Sequence, residues 1–441
     1  MRLKPTTSAR IDEIVRVHQR GGRAPSVVAG VARDGVLLHV AASGRAVDEP
    51  AEVQSRVGSI SKTFTATLVL ALRDAGTLDL DEPIGVHLPK LAVGEMTPRR
   101  LLSHTSGLAA EPVGPWWERN PGVDIETLIS AITPEALVHK PGRVYHYSNL
   151  GYGLLGALVE TLGGQSWANA VESRICVPLG MSRTTYAPAE PYLRGVVVHP
   201  HADRVREEPR EDSRAMAPAG QIWSTVADLV RWGAFIADPA GVAGAPVTAD
   251  TMEEMCTPAV LSDLDSWTSA HSLGFQMWRD GQRVFLGHTG SMPGYLAVLM
   301  VHRASRTVAV AFVDSYRMGR LSLVTLGREL LTAVLDDEPL DEPAWTAAEP
   351  PANVAALLGP WFWMGGGYEL VWDGGLAMFS AGRTGSALWR FEPTGPDRWR
   401  CTSGGNNGET LQVLRDDAGE PAELDIATYV FSRDPWPDVV R

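Results

Sequence analysis

The first clear pattern of apolar and polar positions predicts a β-hairpin near the start of the chain. Two apolar runs, residues 27–31 and 36–40, flank the dipeptide Asp34-Gly35. Asp-Gly between two apolar runs is a strong signal for a tight two-residue turn, because both turn residues must adopt positive φ angles. We therefore predict a hairpin from Val27 to Gly44.

Helical periodicity follows. Phe64, Leu68 and Leu72 recur at four-residue intervals and mark one buried stripe of a helix that runs from Ser59 to about Ala75, with Gly76 placed to end it. The same kind of pattern predicts several further elements: helices at 151–162, 225–236 and 320–335, strands at 284–286, 295–302 and 307–314, and a charged surface loop at 200–214.

The composition of the sequence changes after residue 335. Residues 336–352 are acidic and rich in proline, as linkers are. Beyond them, short apolar runs alternate with glycine turns, which favours a small antiparallel β-barrel or sandwich. The strands predicted there are 368–372, 376–379, 388–391, 410–414 and 426–431. The predicted domains are thus residues 1–335, a linker at 336–352, and residues 353–441.

Composition narrows the possible functions. The chain is 44% hydrophobic and 21% charged, which is ordinary for a globular protein, and its formal net charge is −13. This acidity disfavours nucleic acid and anionic membranes as partners. No apolar run reaches the length of a spanning helix, and the N-terminus lacks the apolar core of a secretory signal, so we expect a cytoplasmic protein. Three widely separated cysteines indicate neither a disulfide framework nor a metal site, and we expect no cofactor.

The rarity of lysine points to candidate chemistry. Only four of the 39 basic residues are lysines, and one of them, Lys62, lies three residues after Ser59. Arginine keeps its proton, whereas a buried lysine can lose one. Residues i and i+3 share a helix face, so the Ser59 hydroxyl and the Lys62 amine can meet as a nucleophile and its base.

Two further motifs follow in order, Tyr147-Ser148-Asn149 and His288-Thr289-Gly290. With Ser59-x-x-Lys62 they make a set that resembles the serine β-lactamase and penicillin-binding-protein superfamily, and in particular its class C β-lactamase and D-alanyl-D-alanine carboxypeptidase branch. The resemblance extends over about residues 10–335 and includes the stretches 101–108, 141–142 and 218–224. It implies an α+β fold: a β-lactamase/transpeptidase-like domain with an antiparallel sheet, flanking helices and a helical subdomain, followed by the small barrel.

The resemblance also implies roles. Ser59 is acylated with Lys62 as its base, and Tyr147 relays the proton. Asn149 holds the substrate amide or orients Lys62. The N–H groups of Ser59 and Ser291 form the oxyanion hole.

Four positions in this region have a less direct interpretation. Tyr145 is an alternative to Tyr147, although the spacing to Asn149 favours Tyr147. His104 is expected to be structural. Trp116 and Trp117 are read either as loop packing or as a wall of the acyl pocket.

The third motif departs from many relatives, because His288 stands where they have lysine. Histidine is a weaker and pH-dependent binder of carboxylates, which makes a β-lactam or a free D-Ala-D-Ala substrate less favoured. Thr289 and Gly290 are expected to contact the substrate.

The C-terminal region resembles the lipocalin-like module found on some superfamily members. This layout is similar to the stand-alone penicillin-binding-protein-type thioesterases of nonribosomal peptide pathways, which close a peptidyl thioester head to tail. The resemblance implies that Arg433 holds the carboxyl end of the peptide, that Gly220 lines the acyl pocket, and that a carrier protein is a possible partner. The alternatives are a family VIII-type carboxylesterase or D-amino-acid peptidase that hydrolyses the acyl-enzyme, and a noncatalytic sensor module, which the intact motifs disfavour.

Overall fold

The computed structural model describes residues 2–319, 322–341, 345–382 and 385–436. Contacts within the chain divide it into two compact units, Met1–Asp341 and Glu342–Arg441. The boundary lies inside the acidic stretch for which the sequence predicts a linker.

The first unit contains ten helices and twelve strands within the described residues. The helices are α1 Pro5–Gly21, α2 Ser61–Asp74, α3 Pro98–Leu102, α4 Ile125–Ala131, α5 Asn149–Gly163, α6 Trp167–Val171, α7 Ala217–Gly220, α8 Val226–Ala237, α9 Ala249–Met255 and α10 Leu323–Asp337. The strands are β1 Ser26–Arg33, β2 Val36–Gly44, β3 Ser55–Arg56, β4 Val196–Val198, β5 Val205–Glu207, β6 Trp223–Ser224, β7 Val260–Leu261, β8 Ser269–His271, β9 Gln276–Asp280, β10 Arg283–Met292, β11 Tyr295–His302 and β12 Thr307–Val313.

Eight of these strands form one antiparallel sheet in the order β2-β1-β12-β11-β10-β9-β8-β7. Strands β1 and β12 are buried at every position, because side chains on both sheet faces pack against helices. Helices α1 and α10 cover one face, and α2 and α8 belong to the core on the other. The two faces of the sheet are thus both apolar, as expected of central strands between helical layers.

The predicted hairpin is confirmed: β1 and β2 pair across Asp34 and Gly35, whose φ angles are +51° and +73°. The predicted helix from Ser59 is also present, but it starts with a 3₁₀ turn at Gly58–Ile60 before α2 begins. Gly76, at φ +71°, follows its end. The α+β organisation predicted for the first unit is therefore present.

One prediction in this unit is incomplete. The charged stretch 200–214 was predicted to be a surface loop, and its side chains are mostly exposed, but β5 within it pairs with β4 as a short ribbon. The sequence pattern does not show this strand, because all three residues of β5 are exposed and therefore have no apolar periodicity.

The second unit is a closed antiparallel barrel preceded by the short helix α11 Ala352–Ala355. Its strands are β13 Gly359–Trp363, β14 Gly366–Trp372, β15 Leu376–Ser380, β16 Trp389–Gly395, β17 Arg398–Cys401, β18 Thr410–Arg415, β19 Pro421–Ile426 and β20 Tyr429–Ser432. Each strand pairs with the next, and β20 closes the ring against β13. Buried side chains that include Trp361, Met378 and Phe391 fill the interior. The predicted small β-barrel is confirmed.

The single strand predicted at 426–431 is wrong. The chain reverses at Ala427 and Thr428, at φ +51° and +76°, so that β19 and β20 form a hairpin. The Asp425 carboxylate accepts a hydrogen bond from the Thr428 N–H at 2.9 Å and supports this turn. No glycine or asparagine marks the reversal, which is why the sequence pattern reads through it.

Candidate active site

Ser59 and Lys62 meet at the start of α2. The 3₁₀ turn Gly58–Ile60 leads directly into the helix, so that the Lys62 amine lies 3.0 Å from the Ser59 hydroxyl oxygen. The amine also donates to the carbonyl oxygen of Ala219 in α7, at 2.7 Å. Lys62 is fully buried, whereas Ser59 remains partly exposed. The pair therefore has the contact that an activated nucleophile requires.

Burial sets the proton affinity of this lysine. Loss of solvent lowers the pKa of Lys62 to about 7, although the charges of Glu111 and Glu118 oppose the shift. A lysine with a pKa of about 7 is unprotonated in a substantial fraction of molecules at neutral pH. Lys62 can therefore accept the Ser59 proton, which arginine at this position could not do.

Tyr147 lies beside this pair, just before Ser148 caps helix α5. The Lys62 amine is 5.0 Å from the centre of the Tyr147 ring. Desolvation raises the pKa of Tyr147 well above its usual value, and a hydrogen-bonding interaction with Ser59 counteracts part of that shift. Tyr147 is thus a neutral hydroxyl next to both the nucleophile and the base.

Tyr145 shares the histidine neighbours of Tyr147. Its ring packs against His104 and His271, with centroid distances of 6.0 and 5.8 Å, and burial raises the pKa of its hydroxyl to about 12. What distinguishes Tyr147 is its interaction with Ser59 and the position of the Lys62 amine over its ring.

The junction between β10 and the 3₁₀ turn forms the site expected for an oxyanion hole. A Cβ atom built on Gly58 would lie 2.5 Å from the Ser291 nitrogen, and one built on Gly290 would lie 3.0 Å from the Ser59 nitrogen. Glycine at both positions lets the two backbone segments approach, which a side chain would prevent. The backbone nitrogens of Ser59 and Ser291 consequently lie at one junction, and the oxyanion hole that they would form stays a prediction.

Gly220 and Trp117 lie next to this junction. A Cβ atom on Gly220 would lie 3.0 Å from the Met292 sulfur, 3.3 Å from the Trp117 ring and 3.8 Å from the Gly58 carbonyl carbon. Trp117 is nearly fully buried, whereas Trp116 is exposed. This geometry favours Trp117 as a wall beside Ser59 and leaves Trp116 outside it.

The side chains of His288 and Thr289, in the third motif, form hydrogen bonds with other groups of the protein. His288 is fully buried, and its Nδ1 donates to the Thr289 carbonyl oxygen at 2.5 Å. Burial lowers the pKa of His288 well below its usual value. Thr289 donates through its N–H and its hydroxyl to the Gln276 side-chain oxygen, at 2.9 and 3.0 Å. A buried neutral imidazole offers no positive charge to a substrate carboxylate.

His288 belongs to a group of three buried imidazoles with His104 and His271. His104 stacks on the Tyr147 ring at 4.2 Å and lies 4.6 Å from His271, and His271 lies 6.0 Å from His288. The His104 Nδ1 accepts a hydrogen bond from the Ser148 N–H at 3.0 Å. Burial lowers the pKa of all three side chains, to about 4 for His271. The layer beneath Tyr147 is therefore polar but uncharged.

Two carboxylates that the sequence motifs do not indicate, Glu111 and Glu118, also belong to the site. Glu111 accepts hydrogen bonds from the Asn149 side-chain amide and from the Trp117 indole N–H, both at 2.7 Å. Burial, followed by the negative charge of Glu111, raises the pKa of Glu118 to about 7. Both residues lie in the loop Glu111–Glu118, which we call the acidic loop. Their position on either side of the Trp116-Trp117 pair was the only signal in the sequence.

Arg433 is held within the second unit. Its guanidinium donates to the carbonyl oxygens of Pro360, Ala356 and Leu358 at 2.7, 2.8 and 3.1 Å. It also lies 3.9 Å from the centre of the Trp361 ring. The described contacts of Arg433 are therefore those of a side chain that ties α11 and β13 to the end of β20.

No group of three or more histidine, cysteine or acidic side chains suited to a metal ion occurs among the described residues. None of the described helices is long and apolar enough to cross a membrane. Cys176, Cys256 and Cys401 are unpaired and buried.

Comparison with known proteins identifies relatives for both units. The family model described as Beta-lactamase matches residues 11–322, and one described as a domain of unknown function (DUF7586) matches residues 350–433. The chain is 32% identical over 369 residues to penicillin-binding protein 4 of Amycolatopsis lactamdurans, covering 78% of this chain and 94% of that protein.

Solved structures share the fold. The crystal structure of SurE superposes with a TM-score of 0.60 at 23% identity and covers 97% of this chain and 99% of its own. The D-amino acid amidase from Ochrobactrum anthropi SV3 complexed with D-phenylalanine superposes with a TM-score of 0.63 at 22% identity, covering 76% of this chain and all of that one. With Ser59, Lys62 and Tyr147 inside the matched residues, the chain belongs to the β-lactamase and penicillin-binding-protein superfamily of serine hydrolases and acyltransferases.

Proposed function

We propose that this protein is a thioesterase that takes a peptidyl thioester onto Ser59 and releases the peptide as a head-to-tail macrolactam. The observation that carries the acyl-Ser59 chemistry of this proposal is the 3.0 Å contact between the Ser59 hydroxyl and a buried lysine with a pKa of about 7. This contact also argues against a noncatalytic sensor, which needs no lysine with a lowered pKa.

The chemistry proceeds in two steps. Neutral Lys62 takes the Ser59 proton as the serine oxygen attacks the thioester carbonyl, and the N–H groups of Ser59 and Ser291 stabilise the oxyanion. The C–S bond breaks, the thiol leaves with a proton relayed through Tyr147, and an acyl ester remains on Ser59. The amino terminus of the peptide then attacks this ester, loses a proton through Tyr147 and Lys62, and regenerates the Ser59 hydroxyl.

One observation supports a cyclase, whose two-unit layout this chain resembles, over a simple hydrolase. The fold similarity to SurE extends over 97% of the chain and thus includes the barrel unit. A D-configured residue at the acyl position fits both candidates, because another structure of SurE contains D-Leu and the amidase structure contains D-phenylalanine. In this proposal the acyl donor in the cell is a peptidyl thioester, carried by a carrier protein in the cytoplasm.

A hydrolase acting on D-amino-acid amides, peptides or simple esters is the second candidate. It is favoured by the amidase from Ochrobactrum anthropi SV3, whose whole chain superposes on three quarters of this one. The two candidates share acyl-Ser59 and differ in what attacks it. A positioned amine can outcompete water, because the effective concentration of a well-oriented group reaches about 10⁵ M or more.

The deciding experiment presents peptides of several residues as short-chain thioesters with a D-residue at the C-terminus. We expect the macrolactam as the main product, which mass spectrometry separates from the linear acid by one water. The Ser59→Ala variant is the control and should form neither product. Dominance of the linear acid across varied peptides, with rapid turnover of simple esters or D-amino-acid amides, would replace the cyclase with the hydrolase.

A further inference from the structure

The acidic loop carries two carboxylates whose described partners are neutral. Glu111 uses one oxygen to accept from the Asn149 amide and the other to accept from the Trp117 indole. In the part of the chain that the structure describes, neither Glu111 nor Glu118 forms an ion pair within 4 Å. Glu111 is exposed, but Glu118 has a buried oxygen, and a buried carboxylate is normally paired with a cation or fully hydrogen-bonded.

The nearby cations are engaged fully or in part by other groups. Lys62 donates to the Ser59 hydroxyl and to the Ala219 carbonyl oxygen. The buried guanidinium of Arg56 donates through Nη2 to the Gln221 side-chain oxygen at 2.7 Å, while its Nε and Nη1 atoms have no partner among the described residues. Both cations lower the pKa of Glu118, but this effect is smaller than that of burial and of Glu111. The charge of the two carboxylates is therefore only partly compensated within the described residues.

Two side-chain oxygens near the acidic loop have no hydrogen-bond donor among the described residues. The Glu118 Oε2 atom is buried and has no partner among the described residues. The Asn149 Oδ1 atom is likewise without a partner, and this residue is only 8% exposed. Because the Asn149 amide nitrogen faces the Glu111 carboxylate, the unpartnered atom is the oxygen. Both open positions are acceptors, so a group that satisfies them must be a donor.

The position of these acceptors connects them to the acyl site. Asn149 follows Tyr147 by two residues and opens helix α5. Trp117, which donates to Glu111, lies against Gly220 next to the 3₁₀ turn that carries Ser59. Glu111 and Glu118 both act on the Lys62 amine through their charge. The acceptors thus lie on the side of the site formed by the acidic loop.

We propose that Glu111, Glu118 and the Asn149 carbonyl oxygen bind a protonated primary amine of the substrate. An ammonium group supplies three donors and one positive charge, which matches two carboxylates and one amide oxygen. The neutral His288 also favours a substrate with an amine over one with a carboxylate, because it offers no positive charge to a carboxylate. This inference rests on the proposed acyl-Ser59 chemistry and specifies the substrate of that site.

The amine has two possible sources. It is either the α-amine of the residue that acylates Ser59, as in an amino-acid amide, or the distal amino terminus of a longer peptide. In the second case the acidic loop holds the group that will attack the acyl-enzyme after it has lost its proton. Both sources present the same ammonium chemistry, and the lengths of the donors separate them.

The experiment uses matched donors that differ only in the charge of the amine. The short pair is D-phenylalanine p-nitroanilide and its N-acetyl form, and the long pair is a peptidyl N-acetylcysteamine thioester with a free or an acetylated N-terminus. We expect kcat/KM for release of the leaving group to favour the free amine at least about tenfold in one pair. A preference in the short pair identifies the α-amine, and a preference in the long pair alone identifies the distal amine.

Variants assign the preference to the acidic loop. Within each variant the ratio of free to acetylated donor is measured, so that a change in overall rate does not enter. Glu118→Gln should bring the ratio close to one, and Glu111→Gln should reduce it as well, which keeps the test valid if either variant fails to fold. Glu126→Gln is the matched control, because Glu126 is an exposed side chain on α4 whose one ion pair among the described residues is with exposed Lys90, at 3.8 Å.

The outcomes separate this inference from the proposed function. Covalent labelling of Ser59 by a fluorophosphonate reports the nucleophile without any amine. If Ser59 labels and both donor pairs show ratios near one, the ammonium site does not exist although the acyl chemistry stands. Retention of the wild-type ratio in Glu118→Gln and Glu111→Gln would likewise overturn it. Failure of Ser59 to label contradicts the acyl-enzyme itself.

Discussion

Lys62 and Glu118 lie near each other on two sides of the Ser59 site, and burial acts on them in opposite directions. Burial lowers the pKa of Lys62 to about 7 and raises that of Glu118 to about 7, so that both are brought toward their uncharged forms near neutral pH. Their hydrogen-bonding differs. The Lys62 amine has two close acceptors, whereas one oxygen of Glu118 has no partner among the described residues.

This difference indicates a division of labour. The side formed by α2 and the three buried histidines is polar, uncharged and held by internal hydrogen bonds, which suits proton transfer by a fixed group. The side formed by the acidic loop keeps acceptors unfilled, which suits the binding of a donor. Substitutions on the first side should therefore change the chemical step, and those on the second should change pH dependence and substrate choice.

The substitution Lys62→Arg, on the proton-transfer side of the site, should have the largest effect on the reaction rate. Arginine keeps a positive charge but cannot serve as a base, so the variant should lose about 10²–10⁴-fold in kcat on p-nitrophenyl acetate, close to the loss in Lys62→Ala. Steady-state kinetics of both variants measures this. Retention of more than about a tenth of the wild-type rate, a barrier change under about 1.4 kcal/mol, would mean that Lys62 acts only through its charge.

Tyr147→Phe should have the next largest effect. The change removes only the hydroxyl that interacts with Ser59, while the stacking on His104 stays. We expect turnover to fall by at least about a hundredfold with the fold intact, measured by kinetics and circular dichroism. Tyr145→Phe is the matched control and should be mild, because burial alone shifts the pKa of the Tyr145 hydroxyl, whereas the Tyr147 hydroxyl also interacts with Ser59. The reverse ranking would assign the proton relay to Tyr145.

Much of the fold was predictable because local rules and burial agree in it. The hairpin at Asp34-Gly35 and helix α2 follow from turn chemistry and from a four-residue apolar period. The hairpin at Ala427 and Thr428 was not predictable, because its turn is formed by residues that rarely adopt positive φ and is supported by a side-chain contact from Asp425.

The residues of the candidate site could likewise be predicted from the sequence only in part. Ser59, Lys62 and Tyr147 could be proposed from motif order, since their spacing along the chain reflects the chemistry. Glu111 and Glu118 could not, because their relevance depends on a loop that folds back onto Asn149 and Trp117. The inward hydrogen bond of His288 is likewise a matter of side-chain orientation, which the sequence does not encode in any local pattern.

A smaller effect is expected for the pH dependence of Glu118→Gln. Lys62 must be unprotonated to act as a base, so the activity on p-nitrophenyl acetate should rise with pH through the Lys62 pKa of about 7. The ionised Glu118 raises that pKa, and its removal should therefore move the rising limb to lower pH. The limb of Glu126→Gln should stay in place. A shift of the Glu118→Gln limb to higher pH would contradict this coupling.

Arg433→Ala should have the smallest effect on the chemical step and tests the second unit. Three carbonyl oxygens and the Trp361 ring hold this guanidinium within the barrel, and hydrogen bonds to a charged group contribute about 1.5–3 kcal/mol each. Because two of the three hydrogen bonds are exposed to solvent, we expect the variant to lower the free energy of unfolding of the barrel by less than their sum, about 2–4 kcal/mol, visible as an earlier calorimetric transition. The rate on p-nitrophenyl acetate should stay unchanged, because Ser59, Lys62 and Tyr147 all lie in the first unit.

The same variant decides between two roles for this arginine. Arg398→Ala is the control, because Arg398 is also on the barrel but makes one exposed hydrogen bond, to the Gln412 side-chain oxygen at 2.8 Å. If Arg433→Ala leaves the barrel transition in place and raises KM for a peptidyl thioester but not for the small ester, the guanidinium holds the peptide, as the resemblance to thioesterases implies. If the transition falls and KM for the thioester rises with it, while Arg398→Ala changes neither, the arginine acts by keeping the barrel folded. The two quantities measured together therefore separate direct recognition from support of the fold.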